Sequence, residues 1–174
     1  MEKNLATGSF LTLRQMTVAG LLGAVAIALS MTPLGYIPIP WLANVNATTM
    51  HIPVIIATIV SGPVVGSIVG LIFGVSSFLR ANNPFFMNPI IAILPRVLIG
   101  ITTYYAYKWT KSSVISAVVG TLTNTIGVLS LILAFGYLPL NVVLGIAGVN
   151  GTTEAIVSAL IVGAVVKALK KVAH

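Results

Sequence analysis

Long apolar runs, broken by single or paired basic residues and by short polar links, occupy nearly the whole chain. A run of about 20 mainly apolar residues crosses a bilayer as a helix, because a helix satisfies its own backbone hydrogen bonds where water is absent. Composition agrees: 57% of the residues are hydrophobic and 6% charged, where a soluble domain carries roughly a quarter charged residues. The 174 residues have room for roughly six spans with short links. The expectation is therefore all-α, one membrane domain over 1–174 made of six short transmembrane helices, multi-pass in a membrane.

Glu2 and Glu154 are the only acids, there is no Asp, and nine Lys and Arg give a net charge of +7. A basic excess often marks nucleic-acid binding, but here the cations are scattered between apolar runs and form no polar face. They report orientation instead. With both ends inside, Lys3, Arg14, Lys108, Lys111, Lys167, Lys170 and Lys171 are cytoplasmic, only Arg80 lies outside, and Arg96 falls within a helix. Both termini are thus expected in the cytoplasm. Cysteine is absent, which excludes disulfides and thiolate chemistry. The first apolar stretch, from near Thr17, lacks a cleavage site and reads as a retained helix.

Proline and glycine punctuate the runs. Helix 1 is expected over Thr12–Ser30, followed by a polar-aromatic loop over Pro33–Thr49. Helix 2 starts near His51-Ile52-Pro53 and stops at Ser61-Gly62-Pro63; at about 11 residues it must be buried among its neighbours or helped by a thinned bilayer. Helix 3 covers Val64–Leu79, the polar link Arg80–Pro89 leads to helix 4, ending near Tyr107, and Lys108–Ser113 leads to helix 5 over Val114–Phe135. Gly136–Asn150 reads as a mixed connection with a short helical piece, and helix 6 as Thr152–Leu169. No internal repeat is visible.

Arg96 lies about two turns into helix 4, where an unpaired charge costs several kcal/mol. Two readings stand: a structural pair with Glu154, placed in the first turn of helix 6, or a planar donor fork for a ligand carboxylate or phosphate. Polar residues converge on the same side of the membrane: Asn44, Asn46, Thr48 and His51; Asn82, Asn83 and Asn88; Thr121, Thr123 and Asn124; and Asn150, Thr152, Thr153 and Glu154. This describes an outward cavity with amide, hydroxyl and ionic partners. Loop asparagines are also ordinary turn formers, whereas an intramembrane amide such as Asn124 must bond something. His51 reads as a helix-start residue, since no second ligand stands at metal-binding spacing.

Gly62, Gly66, Gly70 and Gly74 recur every four residues along helix 3, a stripe for close helix packing within the chain. Helix 1 carries Gly20, Ala24 and Ala28 beside Ala19 and Gly23, a face for internal packing or for another membrane subunit. Aspartyl, metallo- and serine-hydrolase constellations are missing, as is a phosphate-binding glycine loop. No catalytic residue, cofactor or metal is expected, and ATP-driven work would need another chain.

Five segments together resemble one family. They are Met50-His51-Ile52-Pro53-Val54-Ile55-Ile56, Ser61-Gly62-Pro63-Val64-Val65-Gly66, Leu94-Pro95-Arg96-Val97-Leu98-Ile99-Gly100, Gly120-Thr121-Leu122-Thr123-Asn124-Thr125 and Asn150-Gly151-Thr152-Thr153-Glu154-Ala155. The chain resembles, over nearly its whole length, the substrate-binding S components of energy-coupling factor vitamin transporters, and most of all their pantothenate-specific members. The resemblance implies a six-helix vitamin-binding subunit that joins a transmembrane coupling subunit and two cytoplasmic ATPases. It implies that the small face of helix 1, here Ala19, Gly20, Gly23, Ala24 and Ala28, meets the coupling subunit, although glycine at 20 and 23 departs from an alanine-rich pattern. It also implies that the 33–49 segment is a lid. Substrate-binding candidates are then Arg96 on a carboxylate, with Asn124, Asn44, Asn46, His51, Asn88, Asn150, Thr153 and Glu154 around the rest. Alternatives are another vitamin, of the pyridoxine, hydroxymethylpyrimidine or cobalamin-precursor type, or a structural membrane subunit without ligand.

Overall fold

Six helices and one pair of short strands follow each other in the computed structural model, which describes residues 11–38, 46–81 and 84–172. The elements are α1 (Leu13–Met31), β1 (Tyr36–Pro38), β2 (Asn46–Thr48), α2 (Ile52–Ser61), α3 (Pro63–Leu79), α4 (Pro89–Thr110), α5 (Ser113–Ala134) and α6 (Leu140–Val172). Their starts follow local chemistry. Thr12 and Gln15 form a capping box at α1, Asn88 and Ser112 cap α4 and α5, and proline occupies the first turn of α2, α3 and α4. Gly62, at φ 92°, is the single residue between α2 and α3; that left-handed conformation suits glycine.

Among the described residues four helices are long and apolar enough to cross a membrane, namely α1, α4, α5 and α6, while α2 and α3 are shorter. At 1.5 Å per residue, the 10 residues of α2 reach about 15 Å, half of a hydrocarbon core of about 30 Å. The chain resolves this by burying α2: every residue from Ile52 to Thr58 is buried, and α2 packs on α1, α3, α4, α5 and α6. Its sequence, Ile-Pro-Val-Ile-Ile-Ala-Thr, is apolar all round, as a fully enclosed helix requires.

The α3 glycines set how closely its neighbours approach. A side chain at Gly66 would collide with Thr58 of α2, one at Gly70 with the backbone carbonyl of Arg96, and one at Gly74 would stand 2.9 Å from Ile93 Cα. Gly62 belongs to the turn instead and meets nothing. Gly70 therefore fixes where the backbone of Arg96 sits in the bundle.

Two expectations need correction. The segment expected as a loop over Pro33–Thr49 contains paired strands, antiparallel with Tyr36 opposite Thr48 and Pro38 opposite Asn46. Tyr-Ile and Ala-Thr steps favour extended backbone, and the prolines allow it only at an edge. The larger correction concerns helix 6, which is continuous over Leu140–Val172. Gly145, Gly148 and Gly151 suggest a break, but no proline follows Pro139, and in hydrocarbon an interrupted helix would leave backbone groups unsatisfied. The added turns are held by packing: Val143, Ile146 and Ala147 join Val128, Leu129 and Ile132 of α5 with Phe85 and Phe86. Glu154 is consequently about four turns inside α6, not in its first turn.

Candidate functional site

Pro95 explains the placing of Arg96. A helical carbonyl normally accepts from the amide four residues on, but Pro95 has no N–H to give Ile91. Arg96 supplies the missing donor: its Nη1 donates to the Ile91 carbonyl at 2.6 Å. This turns the side chain back toward the start of α4, the direction helical side chains favour. The guanidinium lies over two rings, 5.4 Å from the centroid of Phe73 on α3 and 4.9 Å from that of Phe86 before α4, so part of its charge is stabilised by aromatic faces. Arg96 is 4% exposed.

Three other polar side chains are buried near this level: His51 at the start of α2, Asn124 on α5 and Glu154 on α6. A Cβ at Gly127, one turn after Asn124, would lie 3.0 Å from Pro95 Cβ, and Thr121 and Thr125 on the Asn124 face of α5 bond His51 and Glu154, which sets these groups near the level of Arg96. His51 Nε2 lies 3.0 Å from Thr121 Oγ1, and Thr121 donates its own proton to the Ala117 carbonyl at 2.9 Å. With that proton committed, the bond pattern assigns Nε2–H of His51 as donor to Thr121 and leaves Nδ1 as an acceptor. Nδ1 of His51 and Oδ1 of Asn124 are both buried without a hydrogen-bond partner. Buried acceptors are normally satisfied, so two unsatisfied ones beside a buried cation mark a place where donors belong.

Glu154 is differently engaged. Its Oε1 accepts from the backbone N–H of Thr48 at 2.7 Å and from Thr48 Oγ1 at 3.0 Å, and its Oε2 accepts from Thr125 Oγ1 at 3.1 Å. Gly151, one turn earlier on α6, lies beside Thr125: a Cβ there would make an ordinary contact of 3.6 Å with Thr125 Cγ2.

The remaining candidates divide. Asn88 caps α4, accepting from Ile90 N–H at 3.0 Å. Thr153 donates to the Val149 carbonyl within α6, and Thr123 donates to the Val119 carbonyl and to Thr102. Asn150 is half-buried, one turn before Glu154, and Thr152 is exposed. Asn44, Asn82 and Asn83 lie outside the described residues, as does the side chain of Asn46, whose backbone belongs to β2. On α1, Ala19 and Gly23 turn inward, Gly23 against Ile72, whereas Gly20, Ala24 and Ala28 are exposed on the opposite side.

Sequence reasoning overlooked Thr125, Phe73 and Phe86, and also the buried hydroxyls of Thr103 and Ser158, which have no hydrogen-bond partner. A periodic signal was present for several. Thr121, Asn124 and Thr125 share one face of α5, Ser158 follows Glu154 by one turn, and Thr103 follows Arg96 by two.

The profile described as "ECF transporter, substrate-specific component" matches residues 14–166. The chain belongs to that family. A relative from Lactococcus lactis subsp. cremoris (strain MG1363), the pantothenic acid transporter PanT, is 34% identical over 159 residues, covering 75% of this chain and 81% of its own. A solved structure, described as the S component of a bacterial ECF transporter, matches the fold with a TM-score of 0.67 at 24% identity. That match covers 91% of this chain and 96% of the other. The protein is thus a multi-pass membrane protein, a substrate-specific component whose role is transport and whose assembly is the ECF complex. For such an S component, a buried cation with unsatisfied acceptors beside it is a candidate substrate site.

Proposed function

We propose that this chain captures pantothenate and presents it for ATP-driven import, with both termini in the cytoplasm. The observation that carries the reading is the donor pattern: one buried guanidinium with two buried, unsatisfied acceptors, His51 Nδ1 and Asn124 Oδ1. Pantothenate is the complement. Its carboxylate suits the Arg96 fork, and its hydroxyl and amide hydrogens suit the two acceptors. The pantothenic acid transporter PanT, 34% identical, supports the same substrate.

A transmembrane coupling subunit would dock on the exposed Gly20, Ala24 and Ala28 of α1, where small side chains let another helix approach, and two cytoplasmic ATPases would supply the energy. Asn150 stands close enough to Glu154 along α6 to complete the polar wall.

Native mass spectrometry of the purified protein, followed by titration calorimetry with pantothenate, pyridoxine and hydroxymethylpyrimidine, tests the assignment. Saturable binding of pantothenate at one site per chain is expected. Binding of either other vitamin with no response to pantothenate overturns it.

A further inference from the structure

Among the described residues Glu154 is the sole acidic side chain, and at 5% exposure it is buried. A buried carboxylate is costly unless donors surround it, and here three do, from two other parts of the chain. Thr48 on β2 contributes its backbone N–H and its hydroxyl, and Thr125 on α5 contributes a second hydroxyl. These bonds close loops of 106 and 29 residues. They also stand beside the proposed ligand acceptors in sequence, because Thr125 follows Asn124 and Thr48 precedes His51 by three.

The connection from β2 to α2 is held at its base as well. The Thr49 amide donates to the Gly35 carbonyl at 3.2 Å and its hydroxyl to the Leu34 carbonyl at 2.8 Å, while Met50 is buried. His51, the last residue of that connection, reaches α5 through Thr121, but these bonds leave α6 unlinked. Glu154 makes that cross-link.

We propose that Glu154 is a positioning residue, a clasp that holds β2 against α5 and α6 and sets how fast bound substrate leaves, without touching the substrate itself. The proposal rests on the pantothenate reading. Its logic is electrostatic. Both oxygens of Glu154 are already directed at threonine donors, and a carboxylate is a poor neighbour for an anionic ligand. Substrate that leaves after Glu154 releases β2 is held more tightly while the clasp is closed, and by linkage bound substrate favours the closed clasp. Binding at Arg96 thereby tightens the clasp. A purely structural cross-link would not respond to ligand, and a neutral side chain would serve it at lower cost.

Stopped-flow dissociation of pantothenate from the full-length protein in nanodiscs, with Glu154→Gln, Thr48→Val and the double variant, tests the clasp. A hydrogen bond to a charged group is worth roughly tenfold to a hundredfold in an equilibrium. Each single variant is expected to speed dissociation by about tenfold or more, to leave association unchanged, and to add little to the other in the double variant. Unchanged dissociation in folded Glu154→Gln, or effects of the two variants that multiply, overturns the proposal; Thr48→Val carries the test alone if Glu154→Gln does not fold. Hydrogen exchange at the Thr48 amide separates this failure from that of the pantothenate reading, which would appear as no pantothenate binding by the wild type. Without ligand, exchange should be at least about tenfold faster in Glu154→Gln than in wild type, and equal rates overturn the clasp. In a wild type that binds, pantothenate should slow this exchange, and no change would equally contradict the proposal.

Discussion

Replacing Pro95 by alanine separates how Arg96 is aimed from whether it is present. Proline inside a helix costs about 3 kcal/mol, but Arg96 offsets part of that by donating to the Ile91 carbonyl. The ring also packs: a Cβ at Gly127 would lie 3.0 Å from Pro95 Cβ. Losing two ring methylenes costs about 1.6 kcal/mol at 0.8 per group. Gain and loss nearly cancel, so Pro95→Ala should shift stability by no more than about 1–2 kcal/mol. Binding responds differently. The new amide competes for the Ile91 carbonyl, the guanidinium gains freedom, and re-immobilising such a side chain on binding costs about 0.5–1.5 kcal/mol. Pantothenate affinity should fall roughly twofold to tenfold while thermal unfolding stays near wild type. Calorimetry beside thermal unfolding checks this. Full wild-type affinity in folded Pro95→Ala would refute the idea that the Ile91 tether pre-aims Arg96.

Gly70→Ala drives a methyl into the carbonyl of Arg96 and should destabilise the protein by about 1–3 kcal/mol, the cost of overpacking, seen as a lower unfolding temperature. Ala24→Trp adds bulk to an exposed position of α1 and should abolish uptake and co-purification with the coupling subunit while leaving pantothenate binding intact; Gly23→Leu, which meets Ile72, should instead lower stability. Engineered Leu34→Cys should react with an impermeant thiol reagent from outside intact cells and Lys111→Cys only once the inner face is opened, as both positions are exposed in the bundle; the reverse pattern would invert the topology.

The helices were legible because membrane burial writes long apolar runs that proline and glycine end sharply. The enclosure of α2 could be inferred too, since its 10 residues are too short to span a bilayer alone. Helix 6 was not, because Gly145, Gly148 and Gly151 look like breaks in a sequence but cost little where lipid forbids an open backbone. Arg96, Asn124, His51 and Glu154 were recognisable as polar groups in apolar surroundings. Their division of labour was hidden. It depends on Thr48 and Thr125 reaching Glu154 across 106 and 29 residues, and on a proline whose missing donor recruits the arginine beside it. The inner and outer faces of α1 were likewise hidden, because Ala19 and Gly23 differ from Gly20 and Ala24 in what they pack against rather than in size.

The central claim is that Arg96 holds the carboxylate of the substrate. Titration calorimetry of pantothenate against Arg96→Ala and Arg96→Lys, with thermal unfolding of the same samples, tests it most directly. Loss of a desolvated, hydrogen-bonded charge pair costs about 2–5 kcal/mol, so Arg96→Ala should bind roughly thirtyfold to several thousandfold more weakly, and Arg96→Lys, which keeps the charge without the planar fork, should recover only part. Wild-type affinity in a folded Arg96→Ala protein would contradict the account.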